Sequence, residues 1–68
     1  MKNIVQAERE KRKMSREELA SLVGVSRQTI YFLETDRYNP SIHLAHHLAQ
    51  IFGKTIEEIF IFEEEEEK

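Results

Sequence analysis

Ser15 to Glu34, SREELASLVGVSRQTIYFLE, decides the fold. Ser15 stands as a helix N-cap, and Glu18 three residues on completes a capping box, in which each side chain bonds the other residue's backbone amide. Leu19, Ala20, Leu22 and Val23 then supply an apolar face. Gly24 follows where a helix ends in a left-handed residue, a conformation that glycine adopts at least cost. Val25 is apolar again, and Ser26 caps a second helix. Ile30 and Leu33, three apart, form its buried side and leave Arg27, Gln28 and Tyr31 free. The small side chain of Ala20 lets the two helices cross closely.

A short apolar helix, a glycine turn and a second helix opening with Arg and Gln make a helix-turn-helix. Toward the N-terminus, Asn3 is expected to cap a preceding helix, with Gln6 three residues later and Ile4, Val5 and Ala7 as its apolar contacts. The charge run Glu8-Arg9-Glu10-Lys11-Arg12-Lys13 has two readings. One is a solvated helix face with weak Glu–Lys pairs. The other sets Lys11, Arg12 and Lys13 at a helix C-terminus, where cations are favoured and an anion could be met. Met14 closes this helix onto the next.

Toward the C-terminus, Pro40 forces Asn39 into extended backbone, so no helix runs through Thr35–Pro40. Ser41 caps a fourth helix whose apolar stripe is Ile42, Leu44, Ala45, Leu48, Ala49, Ile51 and Phe52, and Gly53 ends it. Thr55 and Glu58 form another capping box for a last short helix, with Ile56, Ile59 and Phe60 on its apolar side. Ile59-Phe60-Ile61-Phe62 is β-branched and aromatic, and reads as a short β-strand or a contact between copies. An interface made of Ile56, Ile59, Phe60, Ile61 and Phe62 would remove that apolar surface from water. The expected division is one domain over 1–62, with a dimerisation segment at 55–62, and an acidic tail at 63–68 kept disordered by self-repulsion.

Sixty-eight residues are near the lower limit for a self-sufficient core, and dimerisation is the natural supplement. The absence of cysteine excludes disulfides and thiolate zinc sites. His43, His46 and His47 lie at helical spacing, but read as exposed positions on an amphipathic helix, so no metal is expected. No apolar run approaches a membrane span and no signal peptide opens the chain, so the expected location is cytoplasmic. There is neither a cysteine nucleophile nor a glycine-rich phosphate loop, so no enzyme and no cofactor are expected. The net charge of −3 conceals a gradient: residues 1–54 carry +3 and residues 55–68 carry −6.

From Val5 to Phe60 the chain resembles the lambda-repressor-like Cro/cI (xenobiotic-response-element) helix-turn-helix regulators. The resemblance rests on Ser15-Arg16-Glu17-Glu18-Leu19-Ala20, Gly24-Val25-Ser26-Arg27-Gln28-Thr29-Ile30 and Leu33-Glu34, extended by Arg37-Tyr38-Asn39-Pro40-Ser41 and Leu44-Ala45. In length and in its apolar C-terminal segment it looks most like minimal dimeric members such as the cytolysin repressor. The resemblance implies an all-α domain of five helices, with the third as recognition helix in the major groove of double-stranded DNA. It implies base contacts from Arg27, Gln28, Thr29 and Tyr31, which suits Arg on guanine and Gln on adenine. Phosphate contacts would come from Arg16, Ser26, Arg37, Tyr38, Asn39 and Lys13. Arg16 stands where the family usually has Gln. Arg9 and Glu34 match a buried ion pair of several relatives, whereas Glu8 replaces a residue that is often apolar. Phe32, often polar in relatives, reads as packing or as a thymine-methyl contact.

The function implied is a sequence-specific repressor, binding a pseudo-palindromic operator as a homodimer, with no small-molecule effector evident and no membrane partner. Two alternatives stay open at this point. One is a protein-interaction module, such as an antitoxin or adaptor. The other, still a DNA-binding protein, is a controller of a restriction system.

Overall fold

The computed structural model describes residues 1–62, and within them five helices follow one another. They are α1 (Val5–Lys11), α2 (Arg16–Val23), α3 (Arg27–Glu34), α4 (Ile42–Phe52) and α5 (Ile56–Ile59). The tail expected at 63–68 lies outside the described residues. No helix among the described residues is long and apolar enough to cross a membrane.

Local chemistry starts most of these helices where the residue types demand it. Ser15, Ser26, Ser41 and Thr55 each accept a hydrogen bond from the amide three residues on, and Glu18 and Glu58 close the two capping boxes. Asn3 acts differently from the expected cap. Ile4 occupies the N-cap position of α1 and makes no side-chain cap. Asn3 Oδ1 instead accepts the Val5 amide at 3.0 Å, while its Nδ2 donates to the Leu33 carbonyl at 2.9 Å. Gln6 turns to Glu10 rather than back to the helix start.

Four of the helices end alike. Lys13, Gly24, Asp36 and Gly53 have φ of 56°, 76°, 65° and 66°. The next amide in each case bonds a carbonyl five residues back: Met14 to Arg9, Val25 to Ala20, Arg37 to Phe32 and Lys54 to Ala49. A Cβ added at Gly24 or Gly53 would meet nothing within 4 Å, so these positions favour glycine for its backbone freedom and not for space.

The core gathers Val5 from α1, Leu19, Ala20 and Val23 from α2, Ile30 and Leu33 from α3, and Leu44, Leu48 and Phe52 from α4. Leu22, Ile42 and Ala7, expected on apolar faces, are outside it. Leu22 is 60% exposed and Ile42 72% exposed. At 3.6 residues per turn, Leu22 falls roughly 100° from the centre of the Leu19–Ala20–Val23 stripe. Ala7 is likewise exposed.

The C-terminal segment is the main departure from expectation. No strand forms there among the described residues. Phe60 makes one isolated antiparallel bridge with Asn3 of the same chain. The Ile4 amide donates to the Ile59 carbonyl at 2.9 Å, and the Ile61 amide to the Lys2 carbonyl at 2.8 Å. This clasp joins the two ends of the domain. Ile59 and Phe60, expected at an interface between copies, are 0% and 1% exposed within a single chain. They complete the chain's own core because α5 is one turn long and its apolar side packs inward. Ile56 is half-buried, and Ile61 and Phe62 remain exposed.

The charge run on α1 is not a uniformly solvated face. Glu8 and Arg9 are both buried. Arg12 Nη1 donates to Glu8 Oε1 at 2.6 Å, and Arg12 Nη2 to the Phe52 carbonyl at 2.8 Å. The same guanidinium lies 4.9 Å from the centre of the Phe52 ring. Lys11 Nζ adds a contact to Glu8 at 3.3 Å. The Arg12 hydrogen bond holds the Glu8 carboxyl below its ordinary pKa, against the opposing effect of burial and with help from Lys11.

Candidate nucleic-acid interface

The turn at Gly24 and the Ser26 cap present the first residues of α3 to solvent, while Ile30 and Leu33 root the helix in the core. Arg27 and Gln28 are exposed. With Arg16 at the start of α2 and Tyr31 one turn along α3, they line one shallow depression. The sequence expects Arg27, Gln28 and Tyr31 to read bases and Arg16 to hold phosphate, and the fold brings all four together.

Two features suit this surface to an anion. The first turn of α3 carries no acidic residue. Its orphan amides and the positive end of its dipole are therefore not offset by a carboxylate on the helix itself. Arg27 itself pairs only loosely with Glu17 of α2, whose carboxylate is 3.6 Å from Arg27 Nη1, with both side chains mostly in water. A pair so exposed is worth little and yields readily to another anion.

The remaining expected contacts are more varied. Thr29 is half-buried, and its Oγ1 lies 3.0 Å from Ser26 Oγ. Ser26 Oγ also accepts the Thr29 amide at 3.1 Å, so both hydroxyls are engaged in the cap. Lys13 is exposed at the left-handed position after α1 and lines a separate groove with Arg12, Met14 and Leu22. Arg37, Tyr38 and Asn39 are exposed in the loop after α3, and Asn39 Oδ1 accepts a hydrogen bond from the chain's N-terminal ammonium at 3.2 Å. Phe32 is half-buried beside Tyr31, with ring centres 5.8 Å apart.

Glu34 anchors the base of the site. Its side chain is fully buried, with Arg9 Nε 2.7 Å from Oε2. Sequence reasoning did not anticipate its second partner: Arg16 Nε donates to Glu34 Oε1 at 2.9 Å. Arg16 also lies over the Tyr31 ring, 5.3 Å from its centre. No local pattern announces this contact, because Arg16 and Glu34 are 18 residues apart on different helices. Among the described residues no group of three or more His, Cys, Asp or Glu is arranged to hold a metal ion.

Comparison with known proteins fits this geometry. An Archaeoglobus fulgidus protein named as an uncharacterized HTH-type transcriptional regulator is 52% identical over 66 residues, covering 97% of this chain and 93% of the relative. A similarly named Methanocaldococcus jannaschii protein is 46% identical, over 97% of this chain and 100% of its own. The Bacillus subtilis HTH-type regulator YgzD is 40% identical, over 96% of this chain and 98% of its own. The helix-turn-helix family model matches residues 5–59, which run from the first residue of α1 to the last of α5. The chain belongs to the helix-turn-helix family.

Proposed function

We propose that the protein is a DNA-binding transcriptional regulator that inserts α3 into the major groove and acts as a repressor. The observation that carries this reading is the depression shared by Arg16, Arg27, Gln28 and Tyr31, at the start of a helix with no acid in its first turn. Family membership and relatives named as transcriptional regulators support it. Arg27 reads guanine through O6 and N7, and Gln28 reads adenine through N6 and N7. Thr29, its hydroxyl engaged with Ser26, offers its methyl group to thymine, and Tyr31 contacts a base one turn along. Arg16, Ser26, Lys13, Arg37, Tyr38 and Asn39 hold the backbone. Phosphate contacts of this kind supply much of the affinity and make it fall with salt.

The protein acts as a homodimer on a pseudo-palindromic operator. With Ile59 and Phe60 already in the core, the surface for a second copy narrows to Ile56, Ile61 and Phe62, with exposed Ile42 beside Ile56 and Phe62 in one groove. Two recognition helices then enter successive major grooves, about 34 Å apart.

Selection of bound sites from random double-stranded DNA, with sedimentation of the free protein, tests the reading. A two-fold consensus and a dimer are the expected results. Arg27→Ala relaxes the preference at one base of each half-site, by about 1–3 kcal/mol of discrimination, while Arg37→Ala weakens all sequences alike. An unchanged consensus for Arg27→Ala removes that residue from the base readers. Failure to enrich any DNA sinks the whole reading and favours a protein partner on the Ile42–Phe62 groove.

A further inference from the structure

Glu34 binds two arginines although one satisfies it. Arg9 grips the carboxylate along one edge, with Nε 2.7 Å from Oε2 and Nη2 3.3 Å from Oε1. Its remaining nitrogen, Nη1, donates to the Met14 carbonyl at 2.7 Å. Every nitrogen of that guanidinium is occupied, and the buried charge of Glu34 is already matched. Arg16 nevertheless adds its Nε to Oε1 at 2.9 Å. Its Nη1 and Nη2 make no hydrogen bond to the described residues, and its side chain is 35% exposed. The guanidinium lies over the Tyr31 ring and borders the depression that also holds Arg27 and Gln28.

A guanidinium has five N–H donors in a rigid plane, one on Nε and four on the two Nη atoms. Fixing Nε to a buried acceptor orients the plane and leaves the Nη fork intact. That fork matches two oxygens of one phosphate. The rotamer freedom of a long side chain is then given up on folding and not on binding, which favours affinity.

We infer that Glu34 is a positioning residue for DNA binding: it holds Arg16 by Nε so that Nη1 and Nη2 are set to take a single backbone phosphate bidentately, with Tyr31 fixed beneath the same guanidinium. Arg9 is the lock that keeps the Glu34 carboxylate in place. The inference rests on the DNA-binding reading and adds to it a buried carboxylate that touches no DNA yet sets the strength of one phosphate contact. It also makes Arg16→Lys a severe change. An ammonium keeps the charge, but its three N–H groups diverge from one nitrogen and give no parallel pair to match two oxygens of one phosphate while Glu34 holds the third.

The test uses the full chain and a short duplex recovered by selection from random-sequence DNA, with affinity measured across a range of KCl concentrations. Arg16→Lys is expected to weaken binding about tenfold while leaving the salt slope close to that of the parent, since one cation is retained. Arg16→Ala weakens it further and reduces the magnitude of the slope by about 0.9. Glu34→Gln weakens binding about as much as Arg16→Lys, but has less than about a twofold effect when Arg16 is already alanine. Circular dichroism at the binding temperature reports whether Glu34→Gln is folded; if it is not, the Arg16→Lys comparison decides alone. Arg16→Lys binding within about twofold of the parent overturns the inference. So does a Glu34→Gln loss of equal size with and without Arg16. Recovery of no DNA by the parent protein defeats the DNA-binding reading itself, an outcome distinct from either of these.

Discussion

In α2–α3, Gly24 closes one helix, the Val25 amide bonds back to Ala20, and Ser26 opens the next. In α4–α5, Gly53, Lys54, Ala49 and Thr55 take the same places at the same spacing. The turn is therefore built twice in one small domain, from the same hydrogen bonds and the same left-handed glycine. What differs is the helix that follows. α3 has eight residues, no acid in its first turn, and Arg27 and Gln28 exposed. α5 has four, with Glu57 and Glu58 in its first turn and Glu58 closing a capping box. At the third position, where α5 uses a glutamate, α3 has Thr29. The acidic first turn of α5 satisfies its own dipole; α3, with no acid in its first turn, leaves the positive end for an anion from outside. The turn is scaffolding common to both, and charge and exposure set α3 apart, as the proposed nucleic-acid role requires.

α1 fastens both units with adjacent residues. Arg9 reaches the end of α3 through Glu34. Glu8 reaches the end of α4 through Arg12 and the Phe52 carbonyl. The first link buries a carboxylate between two guanidiniums from different helices; the second rests on a pair between α1 and its own C-cap residue. The first should matter more, because the Glu34 side chain is fully buried and Arg9 supplies two of its three arginine hydrogen bonds, leaving only the Arg16 contact when Arg9 is removed.

Arg9→Ala should therefore have the largest effect, costing about 3–5 kcal/mol in urea unfolding. A cost below about 1 kcal/mol would mean that Glu34 is served well enough by Arg16 alone. Gly24→Ala and Gly53→Ala come next, each about 1–2 kcal/mol by thermal melting, since each forces an alanine to positive φ in open space. Clearly unequal costs would break the equivalence of the two turns. Thr29→Glu gives α3 the capping box that α5 has. It should raise stability by a few tenths of a kcal/mol and lower DNA affinity about tenfold. Glu58→Thr should cost about 0.5 kcal/mol and leave DNA binding unchanged. An effect of Glu58→Thr on DNA would deny that the two units divide the work.

The smallest expected effect concerns pH. The Glu8 carboxyl is held below its ordinary value of 4.5, so the folded state binds a proton there less readily than the unfolded chain. Its contribution is in place above pH 4.5 and is lost as pH falls through the lowered value. Glu8→Gln should be less stable near neutrality, and its urea midpoint should fall less steeply than the parent's on acidification. Parallel profiles would show that Arg12 holds α4 without help from Glu8.

Much of the scaffold was legible in the sequence because its causes are local. The Ser15, Ser26, Ser41 and Thr55 caps close within three residues, and the glycine turns within five. The exposed Arg27 and Gln28 followed from the periodicity that buries Ile30 and Leu33. Asn3 was harder to read, since the same side chain serves the start of α1 and the Leu33 carbonyl 30 residues away. The Arg16–Glu34 contact and the Arg12 bond to Phe52, 18 and 40 residues apart, leave no trace in spacing.

By itself the sequence determined where α2, α3, α4 and α5 begin, the glycine ends of α2 and α4, which side chains open α3, and the separation of a basic body from an acidic end. Caps, left-handed glycines and helical periodicity act over a turn or less, so residue order is enough to set them. Only the tertiary structure decided that Ile59 and Phe60 belong to this chain's own core. Only there does Glu8 leave the solvated face of α1, and does Arg16 join the Arg9–Glu34 pair that the family resemblance implied. Burial and long-range ion pairing depend on which surfaces meet in space, and chain order alone does not fix those partners.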